Sequence, residues 1–366
     1  MKRVLSIFGT RPEAIKLAPV VLEVRKHPDR FEDLVCVTAQ HREMLDQVLD
    51  WFEIVPQYDL NLMQPNQSLA EFAGRALLAI GSLLEDVKPD VVLVQGYTST
   101  AMIAALAAFY RRCPVGHVEA GLRTRDRDNP FPEEINRRIV STMATFHFAP
   151  TPQAAEALRA EQVPEENIFI TGNTVVDALL MTVSRPVHMD LGFSLEAKRL
   201  ILVTAHRRES FGAPFESLCS ALRDIADRNA DVEIVYPVHL NPNVREPVMR
   251  VLAGHPRIHL LEPLRYEQFS HLMAQAYLIL TDSGGIQEEA PVLGKPTLVM
   301  RETTERPEAI AAGTARLVGT DRARIVAEAE RLLHDEQAYR AMAQAGSPFG
   351  DGHTAERIVR LLMEKL

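Results

Sequence analysis

Short runs dominated by Val, Ile and Leu recur along this chain, and each is followed by a stretch with helical spacing. Residues 4–8, 34–38, 91–95, 199–204, 232–237, 258–261 and 276–280 are too short for helices and too continuously apolar for strands with one wet face. Strands buried on both faces belong to parallel sheets, whose crossover helices cover them on either side. Helices are predicted between them at 14–26, 44–52, 70–87, 100–110, 133–143 and 151–161, then at 214–228, 244–252 and 266–276. Strands at 114–119, 147–149, 168–171 and 296–300 and helices at 286–293, 322–334, 337–344 and 353–365 complete the pattern. The order predicts an α/β chain with two doubly wound, mostly parallel series. A length of 366 residues suits two such domains. The pattern loosens at 181–198, which is the expected hinge.

In such folds ligands sit beyond the carboxyl ends of the strands, so residues just after predicted strands carry the functional reading. Thr281-Asp282-Ser283-Gly284-Gly285-Ile286-Gln287-Glu288-Glu289 turns from a strand into a helix. Bare N–H groups and the helix dipole at such a turn suit a phosphate, with Ser283 adding a hydroxyl and Gly284 and Gly285 allowing close approach. Glu289, one turn on, suits a pair of ribose hydroxyls. A glycine-rich turn alone is an ordinary connection; with the apolar strand before it and the acids after it, it reads as a nucleotide diphosphate site. Arg11 and Lys16 at the first strand-to-helix turn, Arg123, and His206-Arg207-Arg208 are basic groups at the same edge. Glu119 ends a predicted buried strand, where a carboxylate must face a cleft or a partner. Glu133 opens a helix, where capping is its plainer role. His206 and His239 both end strands; protonated beside a diphosphate, either would neutralise leaving-group charge. His117 reads as a core histidine.

A net charge of −9 argues against nucleic acid and anionic membranes as partners. Cys36, Cys113 and Cys219 show no metal or disulfide spacing, which predicts reduced core thiols and a cytoplasmic setting. The apolar N-terminal run is too short for a signal peptide, and no G-x-G-x-x-G dinucleotide fingerprint is present.

The motifs Phe8-Gly9-Thr10-Arg11-Pro12-Glu13-Ala14-Ile15-Lys16, Ala39-Gln40-His41-Arg42, Gly116 through Thr124 and Pro130-Phe131-Pro132-Glu133-Glu134 occur in that order. Thr171-Gly172-Asn173-Thr174, Thr204-Ala205-His206-Arg207-Arg208-Glu209, Ser283 through Pro291, Thr304-Glu305-Arg306-Pro307-Glu308 and Gly350-Asp351-Gly352 follow them. Together they resemble the non-hydrolysing UDP-N-acetylglucosamine 2-epimerases over nearly the whole chain. The resemblance implies a GT-B fold, two Rossmann-like domains facing a central cleft. Residues 1–172 with a returning helix at 353–366 would form one domain and 173–352 the UDP-binding one. It implies a homodimer that interconverts UDP-GlcNAc and UDP-ManNAc with no metal or nicotinamide cofactor, in cell-envelope polysaccharide synthesis. By similarity Glu119 and Glu133 are acid/base residues, and His206, Arg11, Lys16 and Arg123 lie near the diphosphate. Ser283, Gly284 and Gly285 hold phosphate, Glu289 the ribose and Phe269 the uracil face, with His239 and Arg306 also at the substrate.

The chain departs from the family pattern at Tyr97, where the family usually has an Asp that is a leading candidate for proton transfer. A free Tyr titrates near about 10 and a free Asp near about 4, so the exchange implies impaired turnover. Around Gln40, His41 and Glu43 some bacterial members bind a second UDP-GlcNAc as activator, using a Gln and an Arg where this chain has Glu43 and Asn66. Two alternatives stay open: a hydrolysing 2-epimerase releasing ManNAc and UDP, and a UDP-sugar-binding protein with little turnover.

Overall fold

The apolar runs form strands and the periodic stretches form helices in a computed structural model of the chain, which describes residues 1–39, 42–64, 66–195 and 198–366. In order these are β1 (Lys2–Phe8), α1 (Arg11–Arg25), β2 (Phe31–Val37), α2 (Arg42–Trp51), β3 (Tyr58–Asp59), α3 (Leu69–Val87), β4 (Val91–Gln95) and α4 (Ser99–Tyr110). Next come β5 (Val115–Val118), α5 (Glu133–Met143), β6 (Phe146–Ala149), α6 (Pro152–Ala160), β7 (Ile168–Ile170) and α7 (Thr174–Val183). A second series follows: β8 (Arg199–Thr204), α8 (Ala213–Arg228), β9 (Val232–Pro237), α9 (Pro242–Leu252), β10 (Ile258–Leu261), α10 (Tyr266–Gln275), β11 (Leu278–Thr281) and α11 (Gly284–Glu289). It ends with β12 (Thr297–Val299), α12 (Pro307–Ala311), β13 (Ala315–Leu317), α13 (Arg322–His334), α14 (Glu336–Ala343) and α15 (Thr354–Lys365).

The strands make two parallel sheets, ordered β3-β2-β1-β4-β5-β6-β7 and β10-β9-β8-β11-β12-β13. Each reverses direction once, between β1 and β4 in the first and between β8 and β11 in the second. The loops leaving those strands diverge and open a crevice at the carboxyl edge, the usual ligand position in a doubly wound sheet. Helix starts are fixed locally. Ser68 caps α3 in a capping box with Glu71, Thr98 caps α4, and Thr151 caps α6 ahead of Pro152.

The chain divides into two compact units, Met1–Ala178 with Phe349–Leu366, and Leu179–Pro348. In the first, the core lies between β1, β4, β5 and the helices α3 and α4. The returning α15 packs on α1, and Asp177 accepts from the Ala355 N–H at 2.8 Å. In the second, one core lies under α8, α9 and α13, and another under α10. The stretch expected to be a hinge lies against that second core, with Val183, Met189, Leu191, Phe193 and Leu195 packed on it. Phe193 also stacks on the His259 ring at 3.6 Å.

Candidate active site

In the first unit, the reversal point gathers polar side chains around Glu119. This residue follows β5 with φ of 65°, a left-handed conformation that is costly away from glycine and turns its carboxylate back over the sheet edge. The carboxylate is buried and takes donors from separate elements. Lys16 Nζ from α1 and Asn173 Nδ2 from the start of α7 reach Oε1, the latter at 3.1 Å, and Gln95 Nε2 from the end of β4 reaches Oε2. Beneath it His117 is fully buried, bonded through Nε2 to the Gly96 carbonyl at 2.8 Å, and pushed down to about 3 chiefly by burial. It is a neutral core histidine, as read from the sequence.

The approach here is close. A Cβ on Gly9 would lie 2.0 Å from Thr38 Oγ1 and 2.7 Å from Thr100 Oγ1, so only glycine fits where β1 passes the start of α4. Glu13, the residue that closes the capping box of α1, accepts from the Gly9 and Thr10 N–H groups at 3.1 and 2.8 Å and from the Thr98 hydroxyl at 2.5 Å.

Tyr97, between β4 and α4, is held by α5. Asn136 Nδ2 donates to its carbonyl at 3.1 Å, and the Arg137 guanidinium lies 4.2 Å above its ring. Glu133 precedes these two by three and four positions and so shares their helix face. Its Oε2 is buried with no hydrogen-bond partner among the described residues. The neighbouring Glu134 accepts from the N–H groups of Thr124 and Arg125 at 3.0 and 3.2 Å and fixes that loop.

Arg123 is turned away from this cluster. Its guanidinium makes a two-point pair with Glu161 at 2.8 and 2.7 Å and donates to Ser141 Oγ at 2.9 Å, so its charge is already committed to an internal brace. Arg11 opens α1 and is partly exposed. Glu43 is exposed in the first turn of α2, whereas Gln40 and His41 lie outside the described residues.

In the second unit, Ser283 is the N-cap of α11, which begins at Gly284, two residues earlier than the sequence pattern predicts. A Cβ on Gly284 would meet Glu305 Oε2 at 3.4 Å, Arg207 Nη2 at 3.8 Å and Arg306 Cζ at 4.0 Å, so two guanidinium groups border the turn. Arg306 is buried and paired with Glu288, and Arg301 braces Glu209 and Glu305. Asp282 Oδ2 accepts from the N–H groups of His206 and Arg207 at 2.6 and 2.7 Å, joining the loops after β8 and β11. The rings of His206 and His239 stack at 5.4 Å. Burial lowers His206 below its ordinary 6.5, so with no anion beside it the ring is neutral. Glu289 is buried beside Tyr266, whose phenol is raised first by burial and then by the Glu289 charge. Phe269 is half-buried against the core under α10.

Sequence reasoning assigned no role to Glu13, Gln95, Arg137, Asn173 or Asp282. Their partners are distant in sequence or, for Glu13, look like simple capping. Glu13, Asn173 and Asp282 stand in the motifs given above, which is the one signal that could have raised them.

The family model described as UDP-N-acetylglucosamine 2-epimerase matches residues 22–363. A UDP-N-acetylglucosamine 2-epimerase of Salmonella typhimurium is 58% identical over 369 residues, covering 98% of this chain and 98% of its own. The structure of UDP-GlcNAc 2-epimerase from Neisseria meningitidis bound to UDP-GlcNAc is similar with a TM-score of 0.89 at 46% identity, over 99% of this chain and 100% of that one. The Methanocaldococcus jannaschii UDP-GlcNAc 2-epimerase in complex with UDP-GlcNAc and UDP is similar with a TM-score of 0.80 at 33% identity, over 100% of both chains.

Proposed function

The chain belongs to the UDP-N-acetylglucosamine 2-epimerase family, and from that premise we propose that it interconverts UDP-GlcNAc and UDP-ManNAc without hydrolysis. The proton on sugar C2 has no adjacent carbonyl and is not acidic. If the C1–O bond to UDP breaks first, positive charge at C1 acidifies it. Removal of that proton gives 2-acetamidoglucal and UDP; re-addition of UDP, with a proton delivered to the opposite face, inverts C2. The reaction needs acid/base groups for the two faces and positive groups for the departing diphosphate.

The observation that carries this reading is Glu119, a buried carboxylate turned over the sheet edge and gripped by Lys16, Gln95 and Asn173. Glu119 exchanges the C2 proton on one face. Glu133, with its buried unpaired Oε2, serves the other. Lys16 and Arg11 supply positive charge. In the second unit the turn at Ser283, Gly284 and Gly285, bordered by Arg207 and Arg306, holds the diphosphate, with His206 and His239 beside it. Glu289 takes the ribose hydroxyls and Phe269 the uracil. Tyr97 in place of a carboxylate slows proton transfer, and its position under Arg137 favours a second reading in which the chain binds UDP-sugar with little turnover. The working form is a homodimer, and among the described residues no helix is long and apolar enough to cross a membrane.

NMR of UDP-GlcNAc with the protein in D₂O tests both readings. UDP-ManNAc carrying deuterium at C2 is expected. Free ManNAc with UDP overturns the non-hydrolysing reading, and bound but unexchanged substrate favours the binding protein.

A further inference from the structure

Asp282 spends only half of its carboxylate on the loops it joins. Oδ2 takes the two backbone N–H groups of His206 and Arg207, whereas Oδ1 is buried with no hydrogen-bond partner among the described residues. That oxygen stands 3.5 Å from Nδ1 of His206. A buried acceptor left unpaired is costly and calls for something that completes it. We propose that Asp282 is a positioning residue that makes His206 a cation when a diphosphate occupies the Ser283-Gly284-Gly285 turn. His206 takes one proton from solvent, donates Nδ1–H to Asp282 Oδ1 and presents Nε2–H to the anion. The inference rests on the reading of that turn as the diphosphate site and goes beyond it by assigning where a proton enters.

The charged and titratable groups facing His206 are Asp282 from the loop after β11, Arg207 from its own loop and His239 from the loop after β9. Burial, His239 and Arg207 all favour the neutral ring, and Asp282 alone opposes them. His239 Nδ1 accepts from the Asn241 N–H at 3.1 Å, so that nitrogen is not a donor to Asp282. A bound diphosphate adds negative charge on the other side of His206 and tips this balance. The cation then stands ready as charge develops on the leaving phosphate, and between turnovers the site holds no extra buried charge.

Calorimetric titration with UDP at pH 8 in buffers of different ionisation enthalpy tests this. At that pH the phosphate, with a second pKa of about 6, is already deprotonated and any uptake belongs to the protein. The wild type is expected to take up close to one proton per UDP. In Asp282→Asn the amide offers a donor to Nδ1, so uptake is expected to fall to near zero and affinity roughly tenfold. Imidazole NMR of the wild type keeps the test independent of that variant's folding: the His206 signal should move from neutral to protonated on adding UDP. A wild type that binds UDP with no uptake and an unmoved signal overturns the dyad, as does unchanged uptake in Asp282→Asn. Failure to bind UDP at all overturns the diphosphate site itself.

Discussion

Glu13 Oε1 accepts a hydrogen bond from Thr98 Oγ1 at 2.5 Å, and this contact ties the loop after β1 to the loop after β4. Its other oxygen holds the Gly9 and Thr10 N–H groups, so one buried side chain sets both walls of the first reversal point. Burial raises its pKa above the ordinary 4.5. Its contribution is therefore fully present below 4.5 and lost as pH rises through the folded value. Gln in its place keeps an acceptor for both N–H groups and offers a donor to Thr98, which can accept. Glu13→Gln should keep its stability and lose this pH dependence, whereas Glu13→Ala should lose about 3 kcal/mol by orphaning two buried donors. Denaturant titrations between pH 4 and 8 measure both.

Removing the Glu119 carboxylate should stop chemistry and spare nucleotide binding. Glu119→Gln is expected to lower kcat by about 100-fold or more, the usual worth of a general acid/base. The Kd for UDP should stay within about threefold, since the contacts assigned to UDP belong to other residues. A parallel loss of UDP affinity in calorimetry would count against the division of labour between the two clusters.

Tyr97→Asp should raise the rate of C2 deuterium exchange by at least about tenfold, because a carboxylate exchanges protons readily at neutral pH and a phenol does so poorly. The new carboxylate would also meet Arg137, which now covers the ring. Equal full rates in both proteins would remove Tyr97 as the cause of impaired turnover.

Arg123 and Glu161 should matter for stability rather than for the nucleotide. The Arg123 guanidinium first, against some burial, holds Glu161 below its ordinary 4.5. That stabilisation is present above 4.5 and lost as pH falls through the folded value. Arg123→Met should cost about 1–2 kcal/mol at pH 7, less near pH 3, and leave UDP affinity unchanged. A tenfold weaker Kd for UDP in the variant would restore Arg123 to the phosphate site.

The packed helices α3 and α4 expose large apolar side chains: Leu78 is 75%, Phe109 56% and Tyr110 65% accessible. Such residues on neighbouring helices suit a self-complementary contact. Wild type should sediment as a dimer, and Leu78→Glu with Tyr110→Glu should shift it to monomer. A wild-type monomer at micromolar concentration would remove the homodimer from the proposal.

Most strands and long helices were legible because their residues carry the signal themselves. Val91–Gln95 and Glu133–Met143 match to the residue, being four aliphatic residues closed by Gln95 and a helix with acids in its first turn. The helix α7 was not legible, since Thr174–Val183 is apolar around most of its circumference and rich in β-branched residues. The strand β3 has two residues at a sheet edge and β13 has three, too few for a period. At the site, Glu119 was legible because a carboxylate ending a buried strand demands a partner. Which partner was not: Lys16 and Asn173 lie 103 and 54 positions away, and only the folded topology brings them together. For Arg123 the sequence is silent, since an arginine after a strand looks the same whether it awaits a phosphate or holds Glu161.

Asn173 reaches Glu119 from a backbone that is itself pinned late: its N–H donates to the Phe349 carbonyl at 2.7 Å, in the returning segment that leads to α15. During synthesis the Leu179–Pro348 unit is therefore finished while the unit that holds Glu119 still lacks its final brace. A nascent chain halted after residue 348 would carry a complete Leu179–Pro348 unit and an unanchored Asn173; on the division of roles proposed above it would bind nucleotide before it could act as a catalyst.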